Sequence, residues 1–281
     1  MPLIQTLQPW DSQPQEAVGV DWDNPITRGI LVTFNNHAGS GLVDAAGSGE
    51  KLTQTANTDF APTSHGDGFR TNAVSENARL ANAPTRLRPS TQGSILWVGE
   101  FLGAANPGSL LFGINFAEFG DTAPYVSLCL KRGASGAQGD AMEFNADGSE
   151  IKTRSGTTPA TTGSYMFLGR TRSGRQEVRR LGLDGSDYAA SGTTSFASIN
   201  YGSGPDICIG DPLTLEARNA NAICALAVMW DRFLSDEEAA KIFANPWQLF
   251  APLSLPMWIG AAAAAPSYYP RRRAQSNLLM L

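Results

Sequence analysis

Histidine is nearly absent from this chain: two occur in 281 residues, His37 and His65. A Ser-His-Asp arrangement would need one of them, yet no GxSxG elbow is present. Both sit in loop-like contexts, "NNHAG" and "TSHGDG", where an exposed loop position is the expectation. No HExxH and no paired Cys/His spacing supports zinc. Cysteine is scarce as well. Cys129, Cys208 and Cys224 are an odd set without CxxC spacing, each within an apolar, strand-like run. They are expected to be small core residues, not disulfides, redox groups or nucleophiles. Charged residues make up 17% of the chain, below the roughly 25% of an average domain. The net charge of -5 makes the body no obvious partner for nucleic acid. Long apolar runs are missing too: "APLSLPMWIGAAAAAP", residues 251–266, is broken by prolines and too short to span a bilayer. The N-terminus lacks the basic and apolar regions of a secretory signal, so synthesis and folding in a cytoplasm are expected.

What the chain has is strand and turn. Its length suits one large all-β domain or two ordinary ones. Gly 29 and Pro 17 punctuate runs rich in aromatic and β-branched residues, which argues for turns rather than disorder. "RGILVTFNN" (28–36) is a short apolar run closed by asparagine. In "GSILWVGEFLG" (93–103), Ile95 and Trp97 lie on one face and Leu96 and Val98 on the other, as in a strand buried on both sides. "AMEFNADGSEIKTR" (141–154) places Asp147-Gly148 between alternating apolar residues, the composition of a tight hairpin. "QEVRRLGLDGSDYAASG" (176–192) repeats the design at Asp184-Gly185. Ten or more such strands, with no helical pattern through the first 230 residues, point to an antiparallel sandwich or barrel.

One helix closes the series. In "SDEEAAKIFANP" Ser235 can cap the first turn while Glu238 reaches back, a capping box. Asp236 and Glu237 suit the positive end of the helix dipole. Ala239, Ile242 and Phe243 form an apolar stripe, and Pro246 ends the helix by forcing Asn245 out of helical geometry. An element this short is unstable alone, so the stripe must dock on the sandwich.

The segment "AICALAVMWDRFLSDEEAAKIFANPWQLF" resembles the close of concanavalin A-like sandwiches of the laminin G type, where an Arg-x-Leu-Ser-x-x-Glu helix comes after the last strand. Here those positions are Arg232, Leu234, Ser235 and Glu238. "NPWQLF" is similar to the stretch just past this helix in many tailed-phage and prophage proteins. "GILVTFNNHAGSGLVDAAGSG" resembles the opening strand and its Asp-x-x-Gly turn, "VRRLGLDGSDYAAS" a strand with a ligand-side turn, and "DICIGDP" the next strand. The resemblance covers about residues 26–250. It implies an all-β, antiparallel jelly-roll sandwich (26–250) with one short C-terminal helix, flanked by an N-terminal arm (1–25) and a C-terminal extended arm (251–281). It also implies a non-enzymatic structural protein of a tailed-phage virion, a capsid decoration or tail appendage subunit made in the host cytoplasm. The alternative is a glycan-binding adhesion or receptor-recognition module of a phage tail or bacterial surface.

Candidate chemistry is thin. Glu143, Asp147 and Glu150 are spaced across a hairpin turn and not along one strand, which disfavours a two-carboxylate glycosidase. Asp206 with Asp211, or Asp184 with Asp187, could offer oxygen ligands to calcium, but such aspartates more often serve local turns, so no cofactor is expected. Stacking on sugar would need exposed aromatics, for which Trp10, Trp22, Tyr125, Tyr188 and Tyr201 are candidates, though core roles are the expectation for most. Residues 253–281 differ in character. They hold three arginines and no acids, a net of +3 that leaves -8 for the rest of a chain of net -5. Trp258, Tyr268, Tyr269, Arg271, Arg272, Arg273, Leu278, Leu279 and Leu281 are the candidate partner-binding residues, facing other virion proteins or further copies of the chain. Three arginines without interleaved stacking residues are weak evidence for nucleic acid.

Overall fold

The computed structural model describes residues 13–14, 18–36, 42–54, 59–71, 76–103, 109–116, 126–132, 141–146, 149–154, 162–182, 187–193, 195–201, 204–210 and 220–252. Their strands, in chain order, are β1 (Val18–Val20), β2 (Ile30–Asn35), β3 (Thr53–Gln54), β4 (Phe60–Thr63), β5 (Gly66–Thr71), β6 (Ala78–Leu80), β7 (Gln92–Leu102), β8 (Ser109–Phe116), β9 (Val126–Arg132), β10 (Ala141–Ala146), β11 (Ser149–Arg154), β12 (Thr162–Arg172), β13 (Arg175–Gly182), β14 (Asp187–Gly192), β15 (Pro205–Ile209), β16 (Ala222–Trp230) and β17 (Phe250–Pro252). A single α-helix among them, α1, spans Asp236–Ala244.

Two antiparallel sheets carry the fold. The smaller has the order β11-β10-β9-β8-β15-β6-β3, and the larger β14-β13-β12-β7-β16-β5-β4. β2 also joins the larger sheet, continuing from β5 along the same edge of β16, because β16 pairs with β5 through Cys224 and with β2 from Leu226. The register shift at Ala225 separates the two pairings. This is the antiparallel β-sandwich expected from the strand pattern and the resemblance.

The core between the sheets is aromatic-rich. Trp97, Phe101, Tyr165 and Phe167 pack on one another, with ring centroids 4.9–6.2 Å apart. Two arginines enter this interior. Arg132 lies 3.6 Å over the Phe101 ring and donates to the carbonyls of Ala220 and Gly103 at 2.7 and 2.6 Å. Arg180 stacks over Tyr165 at 5.3 Å. Guanidinium is the cation best suited to such sites, being planar, weakly hydrated and able to lie on a ring.

β7 is buried on both faces, as its sequence required. Ile95, Trp97 and Phe101 join the inter-sheet core, while Leu96 and Val98 join a second core on the outer side of the larger sheet. A third layer covers that second core: β1 paired with β17, the 3-10 turns Pro25–Thr27 and Pro246–Leu249, and α1. Burial of Ile242 and Phe243 contributes about 1.5–3 kcal/mol each, enough to hold a helix too short to persist alone.

The closing motif folds residue by residue into this layer. Ser235 Oγ accepts from Glu238 N–H at 3.2 Å, and Glu238 Oε2 accepts from Ser235 N–H at 2.8 Å, completing the capping box. Glu238 also takes both ends of the Arg232 fork at 2.8 Å. Arg232 in turn donates to the carbonyls of Ile26 and Arg28 at 3.0 and 2.6 Å, tying the helix start to the entry of β2. Asn245 is extended, as the residue before a proline should be, and its side chain caps the next 3-10 turn through Trp247 N–H at 3.0 Å. Ser235→Ala should cost about 1 kcal/mol and leave the fold unchanged. Chemical denaturation would measure it, and no loss would mean the cap is idle.

The arm boundaries expected from the sequence shift here. Val18–Val20 pairs with Phe250–Pro252, and Gln13 is buried, donating to Asn35 Oδ1 at 2.7 Å and accepting from Asp67 N–H at 2.7 Å. The described residues of the nominal N-terminal arm thus belong to the body, because the β17 edge needs a hydrogen-bonding partner and β1 supplies it.

Candidate functional site

The residues expected to bind a partner, Trp258, Tyr268, Tyr269, Arg271–Arg273, Leu278, Leu279 and Leu281, lie outside the described residues. So do His37, Trp10 and Tyr125, and the aspartates Asp184 and Asp211.

His65 departs from expectation. It sits at the two-residue tip of the β4–β5 hairpin, yet it is 6% exposed. β5 pairs beside β16 so closely at Gly68 that a Cβ there would lie 2.6 Å from the Ile223 side chain. The tip is held by Ser64, whose N–H donates to Glu100 Oε2 at 3.4 Å and whose hydroxyl bonds that of Ser164. Burial lowers the His65 pKa to about 4, so the ring is neutral at pH 7. Its Nε2 has no hydrogen-bond partner among the described residues. The local sequence, polar and glycine-flanked, carried no sign of this burial.

The remaining titratable candidates have structural roles. Cys129, Cys208 and Cys224 are buried thiols in no disulfide, and burial raises the Cys224 thiol far above its ordinary range. Asp206 is buried, accepting from Asn82 N–H at 2.9 Å with Arg79 3.5 Å away. Asp44 of the Asp-x-x-Gly turn accepts from the N–H groups of Thr33, Ala46 and Ser48 at 2.8, 3.0 and 2.8 Å. Among the described residues no group of three or more His, Cys, Asp or Glu side chains converges as a metal site would require.

Two aromatics can be placed. Tyr201 packs against the inter-sheet core and donates to Pro89 O, and burial pushes its phenol above the ordinary range. Trp22 is 42% exposed. It rides a turn in which Asn24 N–H bonds Asp21 O at 3.1 Å, Asp23 N–H bonds Asp21 Oδ1 at 3.1 Å, and Asn24 Nδ2 bonds Gln248 O at 3.0 Å.

A shallow concavity lies on the larger sheet, over β12, β13 and the terminal strand β14. It encloses about 440 Å³ and is lined by Arg170, Glu177, Arg179, Ala189 and Ser191, with Val178 and Ala190. Register explains the set. Val178 points into the inter-sheet core, so its neighbours Glu177 and Arg179 face outward. Arg170 lies opposite Glu177, and on the other side Ser191 is opposite Glu177 and Ala189 opposite Arg179. Small residues on β14 leave the room, and charged residues on β12 and β13 form the wall.

That wall is fixed. Arg170 donates to Leu234 O and Asp236 Oδ1, both at 2.7 Å, and pairs with Glu177. Arg175 donates to Glu177 Oε1 at 2.5 Å and to Asp236 Oδ1 at 3.1 Å. The hydrogen bonds from Arg170 and Arg175 hold the Asp236 carboxyl below its ordinary range. Phe233 packs beneath Arg172, Arg170 and Arg175 at 4.7, 4.9 and 5.3 Å, and Phe243 beneath Arg179 at 4.9 Å. Glu177 is the one carboxylate among the groove-lining residues, and two guanidiniums engage it. Rigid donors, an acceptor and a hydroxyl in a shallow groove suit binding a polar ligand.

No family model and no curated protein matches the chain. Solved structures do. Domain 4 of AbnA, a GH43 extracellular arabinanase from Geobacillus stearothermophilus in complex with arabinotriose, superposes with a TM-score of 0.56 at 13% identity, covering 76% of this chain and 97% of that one. The binding domain of Paraclostridial Mosquitocidal Protein 1 gives 0.57 at 9% identity, over 78% of this chain and 52% of that one. Trypanosoma rangeli sialidase gives 0.51 at 15% identity, over 76% of this chain and 32% of that one. The chain shares their sandwich fold. It spans about half the length of the mosquitocidal binding domain and about a third of the sialidase. At these identities the likeness concerns the fold alone.

Proposed function

We propose that the chain is a non-catalytic glycan-binding module whose binding surface is the groove on the outer face of β12, β13 and β14. The observation that carries this reading is the groove's construction: a volume of about 440 Å³, within the roughly 300–1,000 Å³ of small-ligand sites, with a pre-organised wall of guanidinium and carboxylate groups. Hydroxylated rings are held by such planar, forked donors and acceptors. The fold is shared with a domain solved in complex with arabinotriose, which makes a saccharide the natural class to test. The virion role implied by the closing segment gains no support from these neighbours. The motif behind that resemblance accounts for itself structurally, as the knot of Arg232, Ser235 and Glu238.

A glycan array probed with the whole chain tests the reading. Saturable binding to at least one saccharide is expected. Filling the groove with Ala189→Trp should weaken it at least about tenfold, since a large side chain at the groove floor excludes the ligand sterically. Trp22→Ala serves as the contrasting variant: loss there with A189W unaffected would move the site to the Trp22 turn. Absence of saturable binding to any saccharide would overturn the proposal.

A further inference from the structure

The groove opens beside a cluster of guanidinium groups. Arg172 and Arg175 face each other across the β12–β13 turn, in line with Arg170 and Glu177. Like charges placed opposite one another repel unless something compensates. The compensation here is partial. Arg170 and Arg175 share Glu177 and Asp236 between them, while exposed Arg172 has no ion-pair partner among the described residues and lies on the Phe233 face at 4.7 Å. Arg179 adds a fourth guanidinium on the far side of Glu177, stacked on Phe243. Among the described residues, Arg170, Arg172 and Arg175 thus stand around two carboxylates, Glu177 and Asp236. Stacking on Phe233 orients Arg172, and a stacked guanidinium can still bond outward through its fork edge.

Resting on the glycan-binding reading, we infer that the groove selects an acidic saccharide, with a sugar carboxylate or sulfate taken by Arg172 and its neighbours at the β12–β13 end. A neutral glycan would leave Arg172 without an anionic partner, whereas an anionic sugar supplies one and gains charge-assisted bonds. Attraction of this kind weakens as salt shortens the screening length.

The test uses the whole chain in affinity electrophoresis and calorimetry against polygalacturonate, heparin and polysialic acid. Fully methyl-esterified polygalacturonate serves as the uncharged match. Binding to at least one acidic polymer is expected, at least about tenfold tighter than to an uncharged counterpart, and weakening as salt rises from about 0.05 to about 0.5 M. Arg172→Gln, at an exposed position with no ion pair among the described residues, should lower the affinity about tenfold with an unchanged melting temperature. Three results would overturn the inference: equal binding of charged and esterified polymers, acidic binding indifferent to R172Q, or binding confined to neutral glycans. The last would leave the glycan-binding reading standing. Failure to bind any saccharide, charged or neutral, would remove both, and a protein partner would then be the occupant to seek.

Discussion

Replacing Trp247 by alanine should destabilise the protein by about 3–5 kcal/mol, the range for truncating a fully buried large aromatic. The indole is completely buried in the outer core with Ile242, Leu249 and Phe250, its ring centroid 6.3 Å from that of Phe250. Its position makes the loss more than local. Trp247 lies between α1 and β17, so the cavity would loosen the helix on one side and the β1–β17 pair on the other. Trp247→Phe should cost far less, about 1–2 kcal/mol, because the indole Nε1 has no hydrogen-bond partner among the described residues and its removal strands no polar group. Urea unfolding of the two variants beside the parent checks the pair. A W247A loss below about 1 kcal/mol would mean that the third layer is not a cooperative part of the domain.

The second large effect is a dependence on pH set by His65. In the folded protein its pKa is about 4, against 6.5 for an unburied histidine. Between those values the unfolded chain takes up a proton that the folded chain refuses. Stability should therefore fall as pH drops from about 6.5 to about 4, by about 3 kcal/mol in all, and lose nothing more from this group below that. His65→Phe removes the titration, so the difference in stability between variant and parent should change across that window. Denaturant melts of both proteins at several pH values within it would measure the change. Parallel pH profiles would show that His65 is not the group responsible. Acid should act first at the β4–β5 tip, where charging His65 disturbs the contacts that Ser64 makes with Glu100 and Ser164.

The groove and the buried histidine differ in how they arise from the chain. The groove is assembled from three strands in succession, β12, β13 and β14, joined by local hairpins. Its alternation of charged and apolar residues, "RQEVRRLG", is visible as a pattern along Arg175–Gly182. What that pattern cannot state is which face turns outward, since either set of alternate residues carries arginine. Arg180 goes inward, over Tyr165, while Arg179 goes outward, over Phe243. The choice is made by aromatic residues of other elements, Tyr165 of β12 and Phe243 of α1. The burial of His65 has no local pattern at all. The β5 strand beside it is fixed by long-range contacts, among them Gln13 accepting from Asp67 N–H across 54 residues.

Local chemistry alone determined the elements: antiparallel strands from alternation and turn pairs, β7 buried on both faces from apolar bulk on each of them, buried cysteines, and a helix whose cap, stripe and stop lie within twelve consecutive residues. Each of these depends on neighbours close in the chain, and so each is legible there. Tertiary structure decided the rest. It made the closing segment the lid of a second core and drew Val18–Val20 into the body to pair with β17. It assigned Arg232 to fasten carbonyls more than 200 residues away, and it gathered four arginines around two phenylalanines beside a groove. Such contacts join residues distant in sequence, where their energies depend on register and layer packing, and no stretch of sequence carries those by itself.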